Sequence, residues 1–269
     1  MTTKFIVSVS FLLTFLIATE WPAVNSVFPE SKKDGISDIQ RSTFQENSFL
    51  NDFRKGKLVY QNSLASKSDV KYWIMEGPGV TEFKDDWMEM YSPGEKFHHV
   101  FWCPEDFPGS FIAEWELQNL ETDAGLCIIF FSAKGDNGES IFDPSFSKRD
   151  GTFNQYTKSE DFNNYHISYY ANGKDKRERE VAHLRKNKGF EVVQVGEPGI
   201  PIKSTEIHKI TLIKNGAHIL MFVDDRKIID WTDDGKTQPV WQDGKIGFRQ
   251  MQWTHFRYRN FKVWSLKNE

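Results

Sequence analysis

The stretch "IHKITLIKNGAHILMFVDDRKIIDW", residues 207–231, constrains the fold of this chain more than any other. Three apolar-rich runs, 207–213, 218–223 and 226–231, are separated only by "KNGA" and "DD". Asn-Gly between two such runs is a strong hairpin signal, because these residues tolerate the positive φ of a primed turn. The meander resumes in "KIGFRQM" (245–251) and "FRYRNFKVW" (256–264). Upstream, strand-like runs are "WMEMYS" (87–92), "HHVFWC" (98–103), "FIAEWELQ" (111–118), "GLCIIFFSA" (125–133), "NYHISYY" (164–170), "VAHLRK" (181–186) and "FEVVQV" (190–195). Strands at this density, with Gly/Asp turns and little helical periodicity, predict an all-β antiparallel β-sandwich or barrel.

Alternation gives each strand two faces. In "FIAEWELQ" one face carries Phe111, Ala113, Trp115 and Leu117, and the other Ile112, Glu114, Glu116 and Gln118. In "NYHISYY" the faces are Tyr165, Ile167, Tyr169 and His166, Ser168, Tyr170; in "KIGFRQM", Ile246, Phe248, Gln250 and Gly247, Arg249, Met251. A sandwich buries one face of each sheet, so the polar sets are expected outside, and His166, Ser168 and Tyr170 are expected to line a concave groove suited to a polymer.

The N-terminus opens with Lys4, an apolar run from Phe5 to Ala18 and then small residues, the layout of a secretory signal peptide ending near Ser26. No Cys follows that run, so no lipid anchor is expected. Residues 27–50 read as a polar leader and 51–269 as one domain. No later segment reads as a membrane span, so the mature chain is expected in a secreted or periplasmic location.

Eight of the nine tryptophans follow residue 26, aromatics make up 15% of the chain, and the net charge is a mild −4. Without a basic stripe, nucleic acid is a poor partner. Aromatic rings in an exported protein fit a polysaccharide or oligosaccharide, whose sugar faces stack on them, although most of these rings are expected in the core. Cys103 and Cys127 are too few for a disulfide framework, and whether they pair is open. No CxxC or HExxH spacing points to a metal or other cofactor. The aspartates of "VDDRKIIDWTDDG" (Asp224, Asp225, Asp230, Asp233, Asp234) leave room for Ca²⁺, against their commoner use in hairpin turns.

Five blocks, "HVFWCPEDFPGSFIAEWELQ", "GLCIIFFSAKGDNGESIFDPSF", "NNYHISYY", "HLRKNKGF" and "GKIGFRQM", taken in this order, resemble the YesU-like family of bacterial proteins, a domain of unknown function. The resemblance covers about residues 55–265. It implies a concanavalin A-like lectin/glucanase jelly roll and, by architecture alone, a link to polysaccharide use. It carries over no catalytic residue.

Three chemistries fit the residues. The first is β-elimination on an acidic polysaccharide, with His166 and Tyr170 as base and acid and Arg249 neutralising a uronate carboxylate. Arg185, Lys186, Gln250, Glu114 and Trp102 would bind substrate, the arginine fork because it fits a planar carboxylate. His183 shares a face with Arg185. The second is hydrolysis by Glu114 and Glu116, whose i, i+2 spacing is about 7 Å. Jelly-roll glucanases carry E-x-D-x-x-E, and here Asn119 stands at the third acid. The third is binding without turnover, with Trp87, Trp102, Trp241 and Trp253 as stacking candidates. Asp143, between Phe142 and Pro144, is expected to brace a site or cap a turn.

Overall fold

The computed structural model of the protein describes residues 53–172 and 179–267; the expected signal (1–26) and leader (27–50) lie outside these. Among the described residues fifteen strands run in chain order. They are β1 (Lys55–Asn62), β2 (Ile74–Glu76), β3 (Val80–Lys84), β4 (Trp87–Tyr91), β5 (His99–Trp102), β6 (Ser110–Asn119), β7 (Gly125–Gly135), β8 (Phe162–Asn172), β9 (Val181–Asn187), β10 (Glu191–Pro198), β11 (Ile207–Asn215), β12 (His218–Val223), β13 (Arg226–Thr232), β14 (Lys245–Met251) and β15 (His255–Leu266). One helical turn, α1 (Asn154–Thr157), precedes β8. No helix among the described residues is long and apolar enough to cross a membrane.

The strands form two antiparallel sheets. One has eight strands, in the order β13-β12-β11-β6-β15-β4-β3 with β1 also on β15; the other has seven, β10-β9-β8-β7-β14-β5-β2. The meander at 207–232 is edge-to-centre pairing of β13, β12 and β11. Asn215 pairs with His218, so Gly216 and Ala217 make the loop, and Gly216 takes the positive φ of +57° that the primed turn needs. Three strands escape hydrophobic patterning. β1 and β3 have largely exposed or half-exposed residues and β2 has only three, so their alternation is weak.

Between the sheets lies an aromatic core. Phe248 sits at its centre, with ring centroids of Tyr258 at 5.1 Å, Phe261 at 5.4 Å, Trp115 at 5.5 Å and Trp73 at 5.8 Å. Cys103 and Cys127 are both buried and both free thiols. Cys127 Sγ lies 3.2 Å from the hydroxyls of Tyr169 and Tyr258.

A β-bulge overturns the expected face of Tyr170. Ile128 pairs with Ser168 and Cys127 with Tyr170, which leaves Tyr169 as an extra residue. Tyr169 and Tyr170 both turn into the interior. The Tyr170 ring packs on Phe256 at 5.2 Å, and its hydroxyl donates to the Ile202 carbonyl at 3.2 Å. Tyr170 is therefore absent from the outer face that carries His166.

A second apolar cluster covers part of that outer face. Ile141, Phe142, Phe146, Phe153 and Tyr156, from the β7–β8 connection, pack onto Val100, Trp102, Phe130 and Phe162. The face expected to be an open groove is roofed on its β14–β5 side.

Candidate functional site

The outer face of the seven-stranded sheet gathers chemistry-bearing side chains in two rows. Strand register aligns Arg185, His166, Phe130, Gly247 and Trp102 in one row, and His183, Ser168, Ile128, Arg249 and Val100 in the next. Gly247 is required by the close approach of Trp102, whose ring would lie 2.4 Å from any Cβ. The expected meeting of β9 and β14 on one face is found, but β8 and β7 lie between them. Arg185 and Arg249 are thus three strand spacings, or about 14 Å, apart across the sheet, and one row apart along it.

On the unroofed β9 side, Arg179, His183 and Arg185 remain half-buried. Each guanidinium is held by neighbours. Arg179 donates to Val181 O at 2.7 Å and Ser168 Oγ at 2.5 Å. Arg185 donates to Phe190 O at 3.0 Å and lies 3.8 Å above the Phe190 ring. Among the described residues neither forms an ion pair with a carboxylate. Burial, then the two arginines, hold His183 down to about 4, so its imidazole is neutral at neutral pH. Arg179 is absent from the sequence-based candidates; it is the last but one residue of the charged run "KDKRERE", which has no apolar alternation to give it a face.

His166 sits on the expected face but is fully buried. Asn187 Nδ2 donates to Asn164 Oδ1 at 2.6 Å and to His166 Nδ1 at 2.8 Å, and Asn164 Nδ2 donates to Tyr156 O at 2.8 Å. This chain makes Nδ1 the accepting nitrogen and leaves the proton on Nε2. Burial first, then Arg185, Arg249, Arg179 and His183, keep the ring far below its ordinary range. It is a neutral donor, with its basic nitrogen already occupied, which opposes the expected role as catalytic base. Arg249, in the same face, is wholly covered by the roof and donates to Gly151 O at 2.9 Å.

Other expected site residues are placed elsewhere. Gln250 points inward and donates to the Tyr258 hydroxyl at 3.0 Å. Lys186, opposite in direction to Arg185, is buried in an ion pair with Asp233 at 2.6 Å. Trp102 has no exposed surface; its indole N–H donates to Glu76 Oε2 at 2.8 Å and its ring stacks on Phe130. Glu114 and Glu116 lie on the eight-stranded sheet, on the far side of the sandwich. Glu114 is held by Lys55 at 2.7 Å and Lys209 at 3.1 Å, Glu116 by Arg259 at 2.6 Å. That placement removes the carboxylate pair from the cationic face.

Trp87 is buried under Arg257 and Arg259, Trp241 is half-buried over Lys186, and Trp253 stands exposed at the β14–β15 turn. Asp143 caps a turn through Ser145. The aspartates weighed for Ca²⁺ are dispersed. Asp224 holds His208, Asp230 holds His218 and Lys227, Asp233 holds Lys186, and Asp234 holds Lys236. Among the described residues no three of His, Cys, Asp or Glu converge as a metal set would.

Next to Arg249, His99 has no exposed surface and is held down to about 3, by burial first and then by Arg249. Its folded value lies below the unfolded 6.5, so the unfolded chain binds more protons between the two. Stability is then full above pH 6.5 and falls as pH drops toward 3. His99 alone contributes a slope approaching about 1.4 kcal/mol per pH unit in this window. We expect the urea midpoint to fall from pH 7 to pH 4.5, and His99→Gln to flatten the fall; equal slopes in both proteins would refute the assignment.

Comparison with known proteins agrees with this architecture. Residues 57–263 match the family described as Domain of unknown function (DUF1961). The chain is 39% identical over 215 residues to the uncharacterized protein YesU of Bacillus subtilis (strain 168), spanning 78% of this chain and 97% of the relative. A crystal structure of a Bacillus subtilis protein of unknown function with a galectin-like fold superposes with a TM-score of 0.76 at 38% identity, over 81% of this chain and all of that one. The carbohydrate recognition domain of Emp46p (Y131F mutant) shares the fold at a TM-score of 0.51 and 15% identity, over 79% of this chain and 97% of that one. The two-sheet antiparallel sandwich is therefore a galectin-like, concanavalin A-like fold, and the chain belongs to the DUF1961 family.

Proposed function

We propose that this chain acts outside the cytoplasm, residues 1–26 serving as its export signal, and binds an acidic glycan on the cationic face. One observation carries the reading. Arg179 and Arg185 are positioned by backbone carbonyls, Ser168 and the Phe190 ring, remain half-exposed, and form no carboxylate ion pair among the described residues. Guanidinium forks held this way match the planar carboxylate of a uronate. The neutral His183 between them adds hydrogen bonding without a third charge to desolvate. A fold shared with a carbohydrate recognition domain makes a sugar the first ligand class to test.

The test is calorimetric titration with uronate-containing and neutral oligosaccharides of equal length. We expect binding of the acidic ligand only, weakened by salt. Arg179→Ala and Arg185→Ala should each lower affinity by about tenfold or more, since a charged hydrogen bond contributes about 1.5–3 kcal/mol. Equal binding of neutral ligands, or variants that bind like wild type, would sink the proposal.

A second reading, β-elimination, is favoured by the state of His183. It is neutral and half-exposed between two arginines, so its ring can accept the proton beside a neutralised uronate; as the carbon–carbon double bond forms, the C–O bond to the leaving sugar breaks and the imidazolium returns the proton to the leaving oxygen. The ultraviolet absorbance of an unsaturated uronate reports this reaction. A rise in wild type that His183→Ala abolishes without loss of binding would make the chain a lyase; a flat trace with bound ligand would leave it a binding protein.

A further inference from the structure

The long connection between β13 and β14 lies at one end of the seven-stranded sheet. With the last residues of β7, the first of β8 and Lys188 just beyond β9, it walls a cavity of about 560 Å³. The apolar part of the wall is Pro239, Val240 and the half-buried Trp241. Trp241 packs against the inter-sheet core, and its backbone N–H donates to the Tyr165 hydroxyl at 3.0 Å. Ser132 Oγ donates to Gln242 O at 2.9 Å, and Gln238 Nε2 to Lys188 O at 3.2 Å. The connection is therefore tied to β7, to β8 and to the end of β9, and the cavity is preformed.

The polar part of the wall carries its charge in pairs. Lys134 donates to Asp243, and Lys188 donates to Asp136 at 2.7 Å; all four line the cavity. Asn163 also donates to Asp136. Two cations and two anions leave this wall without net charge. Its carboxylates keep their surface, Asp243 being 46% and Asp136 51% exposed. An ionic ligand would have to break one of these pairs to find a partner. A neutral one meets carboxylate oxygens with lone pairs to spare, and the Gln242 amide beside them supplies both donor and acceptor. Hydroxyl groups are thus served in both directions, alongside an indole ring and its apolar neighbours. A sugar ring has the matching pattern, apolar C–H faces and a hydroxylated edge, and the cavity is of the size usual for small-molecule sites.

We propose that this cavity binds one neutral sugar unit, its C–H face on Trp241 and its hydroxyls on Asp136, Asp243 and Gln242. None of the lining residues belongs to the Arg179–Arg185 face, so the site stands whether or not an acidic glycan binds there. A ligand of about twelve non-hydrogen atoms binds in the millimolar range. Binding that weak lies below what the calorimetric comparison of oligosaccharides registers, so the two sites are read separately.

The experiment is saturation-transfer NMR of the full chain with glucose, galactose, mannose, xylose and fructose at millimolar concentration, a panel that varies ring size and hydroxyl orientation. We expect transfer to the C–H protons of at least one sugar, unchanged by added sodium chloride. Trp241→Ala should weaken that binding about fivefold or more, and Trp241→Phe, which keeps a ring, should recover most of it. Asp243→Ala should weaken it too. That variant tests the polar wall without touching the core, because the pair with Lys134 is at the surface and adds little stability, and it decides the matter should Trp241→Ala fail to fold. Arg179→Ala should bind the sugar as wild type does. No transfer to any sugar of the panel, wild-type affinity in Trp241→Ala or in Asp243→Ala, or loss of binding in Arg179→Ala would overturn the site. Transfer to zwitterionic phenylalanine and to no sugar would overturn the ligand class.

Discussion

Replacing Asp233 by alanine is expected to cost about 3–5 kcal/mol of folding stability, because it strands a buried ammonium. Lys186 Nζ reaches Asp233 Oδ2 at 2.6 Å, and the two side chains are 1% and 3% exposed. The same carboxylate oxygen accepts the Tyr165 hydroxyl at 2.5 Å, while Tyr165 Oη accepts the Trp241 backbone N–H at 3.0 Å. Lys186 also donates to Gln238 O at 2.6 Å. The network ties β8 and β9 to the long connection between β13 and β14, so its loss should loosen that end of the sandwich as well as lower stability. The Lys186→Met, Asp233→Leu double variant removes both charges and should recover part of the loss. Urea denaturation of wild type, the Asp233 variant and the pair checks this. A loss below about 1 kcal/mol for Asp233→Ala would show that water reaches Lys186, as at a surface pair.

Phe248→Ala should have a comparable effect for a different reason. The ring lies at the centre of β14, without exposed surface, against Trp73, Trp115, Tyr258 and Phe261. These neighbours come from two strands of the opposite sheet, β6 and β15, and from the connection before β2, so no single element can close over the gap. Truncation there costs about 3–5 kcal/mol, transfer and cavity terms together. In a domain of this size that corresponds to a fall in the melting midpoint of roughly 10 °C. Phe248→Leu fills more of the space and should cost clearly less. Calorimetry of the two variants decides it; equal midpoints for the two would mean that the core relaxes around the missing ring.

The candidate face shows how far side-chain order can be taken from a strand sequence. Alternation placed His166 and Ser168 together, and Arg249 opposite Phe248, as the register has them. It failed two residues later at Tyr170, because a bulge adds a residue and reverses the side without leaving a mark in composition. It also described Glu114 and Glu116 as an outward pair, which they are, but period 2 does not say which of two sheets a strand joins. Lys186 illustrates the same limit. A lysine between arginine and asparagine in a strand reads as a cation free to bind substrate until Asp233, distant in sequence, is brought against it.

The sequence by itself determined the fold class, most of the strands, the central hairpin turn at Gly216, and the family, because these depend on local periodicity, turn chemistry and motif order. Only the tertiary structure decided that the β7–β8 connection roofs half of one sheet, that His166 is a neutral donor beneath it, and that Arg179 joins His183 and Arg185 in the open half. Those properties depend on burial and on partners far apart in the chain, and desolvation and charge pairing exist only once distant segments meet.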